Sequence, residues 1–224
     1  MRSTCAPILK LGRGRDLVSD MTKTAKTVEF IFDFGSPNAY LAHKVLPDIA
    51  ARTGARVVLL PCLLGGIFKL TGNQAPMVAF GGVKGKMPYE MLETRRFIEA
   101  HGLGAFRFNP HFPVNTLLLM RGMVAAQRGG VGEAYLDAML RGMWEAGLKL
   151  DDPAVFTATA DAAGLDGAAL LAGAADPEVK AQLAANTDAA VARGVFGIPT
   201  FFVGDEMFFG KERLGQVEAE LAKE

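Results

Sequence analysis

The stretch Val28-Glu-Phe-Ile-Phe-Asp-Phe-Gly-Ser-Pro-Asn-Ala-Tyr40 decides the fold of this chain. Every second residue from Val28 to Phe34 is apolar, which predicts a β-strand with one strongly apolar face. Ser36 then offers a side-chain oxygen as a helix N-cap, and Pro37 suits the first helical position because its φ angle is already fixed. The stretch therefore predicts a strand, a tight turn and a helix that begins after Ser36.

The predicted helix leads directly into a second strand. Apolar residues at positions 42, 45, 46 and 49 recur with helical spacing and give the helix a core face. Pro47 should kink the helix, and Gly54 should end it. The apolar run at 56–60 follows as a strand. A β-α-β unit of this kind predicts that the second strand lies parallel to the first.

Between residues 64 and 193 the pattern becomes helical. Helical spacing predicts helices over 88–102, 114–127 and 131–143, and two Asp-Pro pairs, at 152–153 and 176–177, predict the starts of two more. The Ala and Met residues of this block have the spacing of packed helix faces. We expect a large, all-helical insertion.

Strand character returns near the C-terminus. The run at 200–203, the turn Gly204-Asp205 and the run at 207–209 predict a β-hairpin, and a last amphipathic helix follows. The order is βαβ, a helical block, then ββα. We therefore predict an α/β protein in which residues 26–63 and 194–224 form one domain and residues 64–193 form an inserted helical domain.

Composition favours a small-molecule enzyme over a nucleic-acid or membrane protein. The chain has 224 residues with 24 Lys plus Arg against 24 Asp plus Glu, which gives no basic surface for nucleic acid or anionic lipid. No apolar run is long and unbroken enough to span a bilayer. The two cysteines form no Cys-x-x-Cys motif and, with the three histidines, no metal-binding spacing. Scarce cysteines fit a cytoplasmic protein, and residues 1–25 are expected to be a disordered extension.

At this point the chain resembles the 2-hydroxychromene-2-carboxylate isomerase family, in the kappa-class glutathione transferase branch of the DsbA-like thioredoxin superfamily. The resemblance covers roughly residues 27–222 and implies a thioredoxin-like fold (βαβ…ββα) with the helical insertion. It depends on the order and spacing of several motifs rather than on one of them. These motifs are Phe-Asp-Phe-Gly-Ser36-Pro, Pro61-Cys-Leu-Leu-Gly-Gly-Ile-Phe-Lys69-Leu-Thr-Gly-Asn73, Lys84-Gly-Lys86 with Tyr89, His111-Phe-Pro-Val-Asn115-Thr-Leu and Gly197-Ile198-Pro199-Thr200-Phe.

The resemblance implies that the protein binds glutathione and uses its thiol. Ser36 would hold the glutathione sulfur, at the position where thioredoxin-like oxidoreductases carry a reactive cysteine. Lys69 and Asn73 would contact glutathione or the substrate acid. Ile198 and Pro199 would flank the tripeptide. A homodimer is also what the family implies.

One segment departs from the family pattern. After the last strand, family members usually have a small or amide residue followed by Asp-Arg, whereas this chain has Lys211-Glu212-Arg213. Glu212 keeps the negative charge on a side chain one methylene longer, and Lys211 adds a positive group. One interpretation is that Glu212 binds the γ-glutamyl ammonium of glutathione. The alternative is that it acts only as an acidic first-turn residue of the last helix.

Physical reasoning supports a thiol site at Ser36. A helix N-terminus carries about half an elementary positive charge and unpaired N–H groups, and both stabilise a thiolate. The alternative is that Ser36 only caps the helix. Pro199 is a candidate for a cis bond, in which case the backbone groups of Ile198 would face outward and pair with an extended peptide such as glutathione; the alternative is a trans proline that starts a strand.

The role of Lys69 and Asn73 depends on local structure. If residues 65–73 hold a helical turn, the two side chains lie on one face and suit a carboxylate ligand. If Gly72 breaks the helix, they lie on a loop and need no common partner. Cys62 is expected to be a small buried apolar residue rather than a resolving cysteine, because Ala39 occupies the position of a resolving cysteine.

These observations lead to one functional hypothesis and three alternatives. The hypothesis is a glutathione-dependent isomerase that opens the ring of a 2-hydroxychromene-2-carboxylate-like aromatic acid and isomerises it to a benzylidenepyruvate-type product. The alternatives are a kappa-like glutathione transferase, a non-catalytic thioredoxin-fold binding protein and a glutathione-independent isomerase. A dithiol oxidoreductase is disfavoured by the two dispersed cysteines.

Overall fold

A computed structural model describes residues 25–223 of the chain. The first strand and helix form as their sequence indicates: β1 (Thr27–Phe32) leads through a four-residue loop to α1 (Pro37–Thr53). Gly54 ends α1 in the left-handed conformation, with φ of 67°, where a residue without a Cβ has no steric penalty. Helix α1 runs on through Pro47.

The remaining elements follow the predicted order βαβ, helices, ββα. The last helix is preceded by a 3₁₀ turn at Lys211–Arg213. The elements are β2 (Arg56–Pro61), α2 (Leu64–Thr71), α3 (Pro76–Ala79), α4 (Lys86–Ala100), α5 (Leu117–Arg128), α6 (Gly132–Trp144), α7 (Pro153–Ala162), α8 (Gly167–Ala175), α9 (Pro177–Ala192), β3 (Thr200–Val203), β4 (Glu206–Phe209) and α10 (Leu214–Ala222).

One four-stranded sheet organises the molecule in the order β2-β1-β3-β4. Strand β2 is parallel to β1, with Leu59 opposite Phe30, as the β-α-β unit predicts. Strand β3 is antiparallel to β1 and to β4, so the hairpin predicted around Gly204-Asp205 is confirmed. This thioredoxin-like arrangement with a helical insertion is the fold class that the sequence predicts.

An aromatic core joins the sheet to the helical insertion. Phe30 stacks on Phe201 with ring centroids 5.0 Å apart, and Phe32 meets Phe34 edge-to-face at 4.9 Å. Phe34 in turn lies 6.0 Å from the ring of Tyr135 in α6. The indole N–H of Trp144 donates to the carbonyl of Phe34 over 2.9 Å. The loop after β1 is therefore fixed by the insertion as well as by the sheet.

The free edge of β2 is covered by the insertion. Gln127 in α5 donates its amide N–H to the Leu59 carbonyl at 3.1 Å. Asn186 in α9 donates to the Pro61 carbonyl, also at 3.1 Å. Two outward-facing carbonyls of the edge strand thus find side-chain donors instead of a neighbouring strand.

Several local predictions are confirmed and two helix boundaries differ. Asp152 and Asp176 cap α7 and α9 by accepting first-turn N–H groups. The helix predicted over 114–127 begins only at Leu117, because the Asn115 side chain accepts the Leu117 N–H at 3.0 Å and holds a turn there. The helix predicted over 88–102 spans Lys86–Ala100.

The division into domains stays a prediction, with residues 26–63 and 194–224 in one domain and 64–193 in the other. The predicted disordered extension, residues 1–25, falls on the part of the chain outside the described residues, apart from its last residue. Within residues 25–223 no helix is long and apolar enough to cross a membrane. Over the same range no group of three or more His, Cys, Asp or Glu side chains is placed to hold a metal ion.

Candidate active site

Ser36 caps α1 and joins it to the loop before β3. Its hydroxyl oxygen accepts the Ala39 N–H at 3.2 Å, the N-cap bond that the sequence predicts. The same hydroxyl donates to the carbonyl of Ile198 at 3.0 Å, across 162 residues of chain. Only 5% of Ser36 is exposed. The side chain thus lies in the positive field of the helix N-terminus, beside the segment that carries Pro199.

Asp33 holds the loop that presents Ser36. Its two carboxylate oxygens accept the N–H groups of Gly35, at 2.8 Å, and Leu64, at 2.7 Å. The Thr116 side chain lies beside this carboxylate. Full burial raises the pKa of Asp33, and the two N–H groups and the Thr116 hydroxyl act against that rise. Because Leu64 is the first residue of α2, one carboxylate fixes both the Ser36 loop and the start of α2.

The Ile198–Pro199 peptide bond is cis, as predicted, and so is Phe112–Pro113, which sequence reasoning missed. The Pro199 carbonyl accepts the Gly210 N–H at 2.9 Å. The backbone of Ile198 does not face outward as predicted. Its carbonyl accepts a hydrogen bond from the Ser36 hydroxyl, and only 6% of the residue is exposed. A ligand N–H that pairs with this carbonyl would either use its second lone pair or replace the Ser36 hydroxyl.

Lys69 and Asn73 do not share a helical face, so that interpretation is wrong. Gly72 takes the left-handed conformation, with φ of 70°, and ends α2 at Thr71. Asn73 therefore leaves the helix, and its amide donates to the Phe196 carbonyl at 2.7 Å. The contact positions the segment before Pro199 from 123 residues away. The structure gives Asn73 a tethering role that its sequence spacing did not indicate.

Lys69 instead lines a cavity of about 310 Å³ between α2, α5 and α9. Arg121 of α5 and Lys180 of α9 line the same cavity. Sequence reasoning missed both. The sequence did carry one signal, since Arg121 is a lone cation in the otherwise apolar run Leu117-Leu-Leu-Met-Arg-Gly-Met-Val124. A charged side chain at such a position is rarely there for packing alone.

Lys211 and Glu212 pair with each other. Lys211 is only 2% exposed, and its ammonium hydrogen-bonds the Glu212 carboxylate. The ammonium also lies 5.4 Å from the ring centroid of Phe97 in α4. Glu212 is about half exposed, so part of its carboxylate faces solvent. A ligand ammonium would share Glu212 with Lys211 rather than meet an unpaired carboxylate.

The predicted apolar role of Cys62 is confirmed. Its side chain is fully buried, and its thiol donates to the Asn186 carbonyl at 3.4 Å. Burial, followed by the charge of Asp33, raises the pKa of Cys62 to about 12. Thiolate is the reactive form of cysteine, so this residue is chemically inert in the folded protein.

Aromatic side chains that could face a substrate are mostly used in packing. Trp144 is fully buried, and Phe106 stacks on it with centroids 5.9 Å apart. Phe112 lies 6.1 Å from the same indole. Phe68, in α2, remains partly exposed. Core packing therefore accounts for most of this set.

Comparison with known proteins shows the family to which this chain belongs. Residues 27–222 match the family model of the DSBA-like thioredoxin domain. A 2-hydroxychromene-2-carboxylate isomerase from Sphingobium xenophagum is 30% identical over 200 residues, which are 88% of this chain and 98% of that protein. Human glutathione S-transferase kappa 1 is 26% identical over 208 residues, which are 84% of this chain and 88% of that protein.

A solved structure is similar as well. A 2-hydroxychromene-2-carboxylate isomerase superposes with a TM-score of 0.75 at 26% identity, covering 86% of this chain and 93% of that chain. The similarity extends over the sheet and the insertion together. The chain belongs to the DSBA-like thioredoxin domain family and, within it, to the 2-hydroxychromene-2-carboxylate isomerase family.

Proposed function

We propose that this protein is a glutathione-dependent isomerase of a 2-hydroxychromene-2-carboxylate-like aromatic acid. It would open the ring and carry out the cis-trans isomerisation that gives a benzylidenepyruvate-type acid. Relatives named as isomerases support the reaction class. The observation that carries the proposal is the Ser36 hydroxyl, held at the N-terminus of α1 against the Ile198 carbonyl.

The chemistry of the site residues fits glutathione. A thiolate suits a helix N-terminus with a hydroxyl donor, which Ser36 provides. An ammonium group suits the exposed part of the Glu212 carboxylate. A peptide backbone suits the segment at Ile198, where the carbonyl already accepts a hydrogen bond from a side chain. With Ala39 in place of a second thiol, the chain would depend on an external one.

Glutathione, when bound, would supply a nucleophilic thiol that adds reversibly to the conjugated carbon of the substrate. The residues of the chain would position this thiol and the substrate and stabilise their charges. Ser36 would turn its hydroxyl from the Ile198 carbonyl to the sulfur and keep that sulfur deprotonated. Lys69 would hold the substrate carboxylate or stabilise a developing oxyanion. Because the thiol is regenerated, it would serve as a cofactor.

A kappa-like glutathione transferase is a second candidate, favoured by the similarity to the human kappa enzyme. It would use the same Ser36 site but release a thioether conjugate. Mass spectrometry of the products separates the two activities. An isomer of unchanged mass indicates the isomerase, and a product heavier by one glutathione indicates the transferase.

Three further proposals accompany this function. The partner is a small aromatic carboxylate, the location is cytoplasmic and the assembly is a homodimer. The exposed apolar side chains of Val78, Phe80 and Val83 favour a contact surface on the segment around α3. Light scattering on the purified protein gives the mass; a monomer at micromolar concentration would contradict the dimer.

Calorimetry with glutathione tests the central proposal. The full-length protein should bind glutathione, and Ser36→Ala should weaken binding about tenfold and lower turnover about 100-fold. Ser36→Ala also removes an N-cap, which costs about 1 kcal/mol of stability. Asp152→Ala removes the N-cap of α7 and is the matched control.

The control separates the catalytic role of Ser36 from its capping role. If both variants lose stability and only Ser36→Ala loses glutathione affinity, the proposal stands. If glutathione fails to bind at millimolar concentration, or if Ser36→Ala binds and turns over like the wild type, the assignment of the thiol site is wrong.

A further inference from the structure

Two adjoining cavities lie beside the insertion helices and share a basic wall. The first, about 310 Å³, opens between α2, α5 and α9, and the second, about 400 Å³, lies between α5, α8 and α9. Leu117, Arg121 and Lys180 line both. Arg121 thus lies between the two adjoining cavities, which we call together the recess.

Arg121 is a cation without a partner in the described part of the chain. Its Nε atom is buried and forms no hydrogen bond there. Among residues 25–223 it also has no acidic side chain within ion-pair distance. A guanidinium stays charged at any pH a protein tolerates. Its two terminal nitrogens form no hydrogen bond within the described residues and, unlike Nε, are not fully buried. These terminal N–H groups are the ones that an anion in the recess can reach.

The other charges around the recess leave it positive. Lys69 and Lys180 add two cations to Arg121. The acidic residues on the walls are Asp188 in the first cavity and Asp151 in the second. Asp151 is engaged by the Lys149 ammonium at 3.0 Å. Three cations thus face one carboxylate that has no ion pair within the described residues.

The remaining walls suit an apolar group. Leu63, Leu70 and Leu183 line the first cavity together with Leu117. A flat ring can pack against such leucine side chains while a carboxylate attached to it reaches the guanidinium. Arginine binds carboxylates through two parallel hydrogen bonds, a geometry that lysine does not offer.

We propose that this recess binds an aromatic carboxylate, with Arg121 as the bidentate anchor of the carboxylate and Lys180 and Lys69 as supporting cations. The identity of the acid, a benzylidenepyruvate-type compound, rests on the proposed function. The binding of a carboxylate does not, because it follows from the unpaired cations and the apolar walls.

The recess is built on the same elements that hold the Ser36 loop. Leu117 follows Thr116, whose side chain lies beside Asp33. The Thr116 methyl group would lie 3.2 Å from a Cβ atom on Gly35, so this side chain packs against the Gly35 backbone. The Asp33 carboxylate also binds the first N–H of α2, the helix that carries Lys69. An acid in the recess would therefore lie against elements that directly contact the loop of the thiol site.

Binding of benzylidenepyruvate in the absence of glutathione tests this inference. Benzylideneacetone has the same ring and enone without the carboxylate, and is the matched ligand. We expect the wild type to bind the acid at least tenfold more tightly than the ketone, since a charge-assisted pair is strong in a partly buried site. Arg121→Met should lower affinity for the acid about tenfold or more and leave affinity for the ketone unchanged. Lys180→Met should have the same effect but smaller.

Arg128→Met is the matched control variant. Arg128 lies on the same helix, is exposed and is paired with Glu178 at 2.5 Å. The Arg128→Met variant should bind the acid and the ketone with the same affinities as the wild type. Equal affinities for acid and ketone in the wild type, or equal behaviour of Arg121→Met and Arg128→Met in variants that melt cooperatively, would overturn the inference.

The same data keep the two proposals apart. If Ser36→Ala abolishes turnover while Arg121→Met leaves acid affinity unchanged, the recess proposal fails and the isomerase proposal stands. If no glutathione-dependent turnover occurs but the acid still binds through Arg121, the isomerase proposal fails and the recess remains a carboxylate site.

Discussion

Two regions of the molecule use apolar side chains in opposite ways. We define the frame as residues 27–53, which comprise β1, the Ser36 loop and α1, together with β3. In the frame, Phe30, Phe32 and Leu41 are fully buried. In the outer segment, residues 76–100, neither α3 nor α4 contains a buried residue. There Val78 is 66% exposed and Phe80 is 43% exposed. The frame buries these apolar groups completely, whereas in the outer segment only Phe97 and Ile98 pack against the core, and both stay partly exposed.

The difference separates stability from recognition. The buried side chains of the frame stabilise the fold, and the Ser36 loop within it is held by Trp144 of α6, which donates to the Phe34 carbonyl, and by the Leu64 N–H of α2, which the Asp33 carboxylate accepts. Side chains of the outer segment add little to the fold and remain available to a ligand or another chain. We therefore expect substitutions in the frame to change folding and those in the outer segment to change binding.

The same substitution in both regions gives the sharpest contrast. Phe32→Ala should destabilise the protein by about 3–5 kcal/mol, since it empties a fully buried site between two other rings. Phe80→Ala, on an exposed ring, should cost less than about 1 kcal/mol. Urea unfolding followed by circular dichroism measures both. Similar losses in the two variants would show that the outer segment is part of the core.

Asp33 tests whether the frame also positions α2. Asp33→Asn replaces one acceptor oxygen by an N–H₂ group, which would face the N–H of Gly35 or Leu64. We expect a loss of about 1–3 kcal/mol in stability. Asp161→Asn is the control, because the Asp161 carboxylate also accepts a backbone N–H, at 2.9 Å from Gly167, but is exposed.

The outcome for Asp33 is read in glutathione binding as well as in stability. A positioning role predicts weaker glutathione binding in Asp33→Asn at a temperature where the variant is still folded. If Asp33→Asn unfolds at the same urea concentration as Asp161→Asn and binds glutathione normally, the carboxylate has no special role in the frame.

The smallest expected effect is a pH dependence that arises in α1. Burial, followed by the charge of Lys44, lowers the pKa of His43 to about 4. Because the unfolded value is about 6.5, the unfolded chain binds more protons between pH 6.5 and 4. Stability due to His43 is therefore complete above pH 6.5 and falls as the pH drops, by about 1–2 kcal/mol at pH 5.

Thermal melts of wild type and His43→Leu at pH 7 and pH 5 measure this effect. The wild type should lose more stability on acidification than His43→Leu. The raised pKa of Asp33 works in the opposite direction and is common to both proteins, so it cancels in the difference. Parallel losses in wild type and His43→Leu would contradict the prediction.

Local signals in the sequence predicted elements of both the frame and the insertion well. The N-caps at Ser36, Asp152 and Asp176 and the turn at Gly204 each depend on a few neighbouring residues, and all are present. The parallel pairing of β1 and β2 follows from the connecting helix. The caps and the turn are determined within about ten residues of chain, which is the range that pattern and propensity describe.

The candidate site was harder to predict because its contacts span the chain. Asn73 binds the carbonyl of Phe196, and Lys69 shares a cavity with Arg121 and Lys180. Neither contact can be predicted from the spacing of neighbouring residues in the sequence. The burial of Lys211 was missed for the same reason, since it depends on α4 packing beside the 3₁₀ turn. Spacing that suggested a shared helical face for Lys69 and Asn73 was misleading once Gly72 ended the helix.

The amides that cover β2 have a consequence for how this fold can be altered. An uncovered edge strand is a template for pairing with another molecule, the first step of aggregation. Gln127 and Asn186, both in the helical insertion, bind the outward carbonyls of that strand. The insertion therefore blocks the pairing of β2 with a strand of another molecule, and it also forms the walls of the recess. Trimming the chain to its βαβ and ββα parts would expose this edge, and such a minimal protein should need a replacement cover to stay in solution.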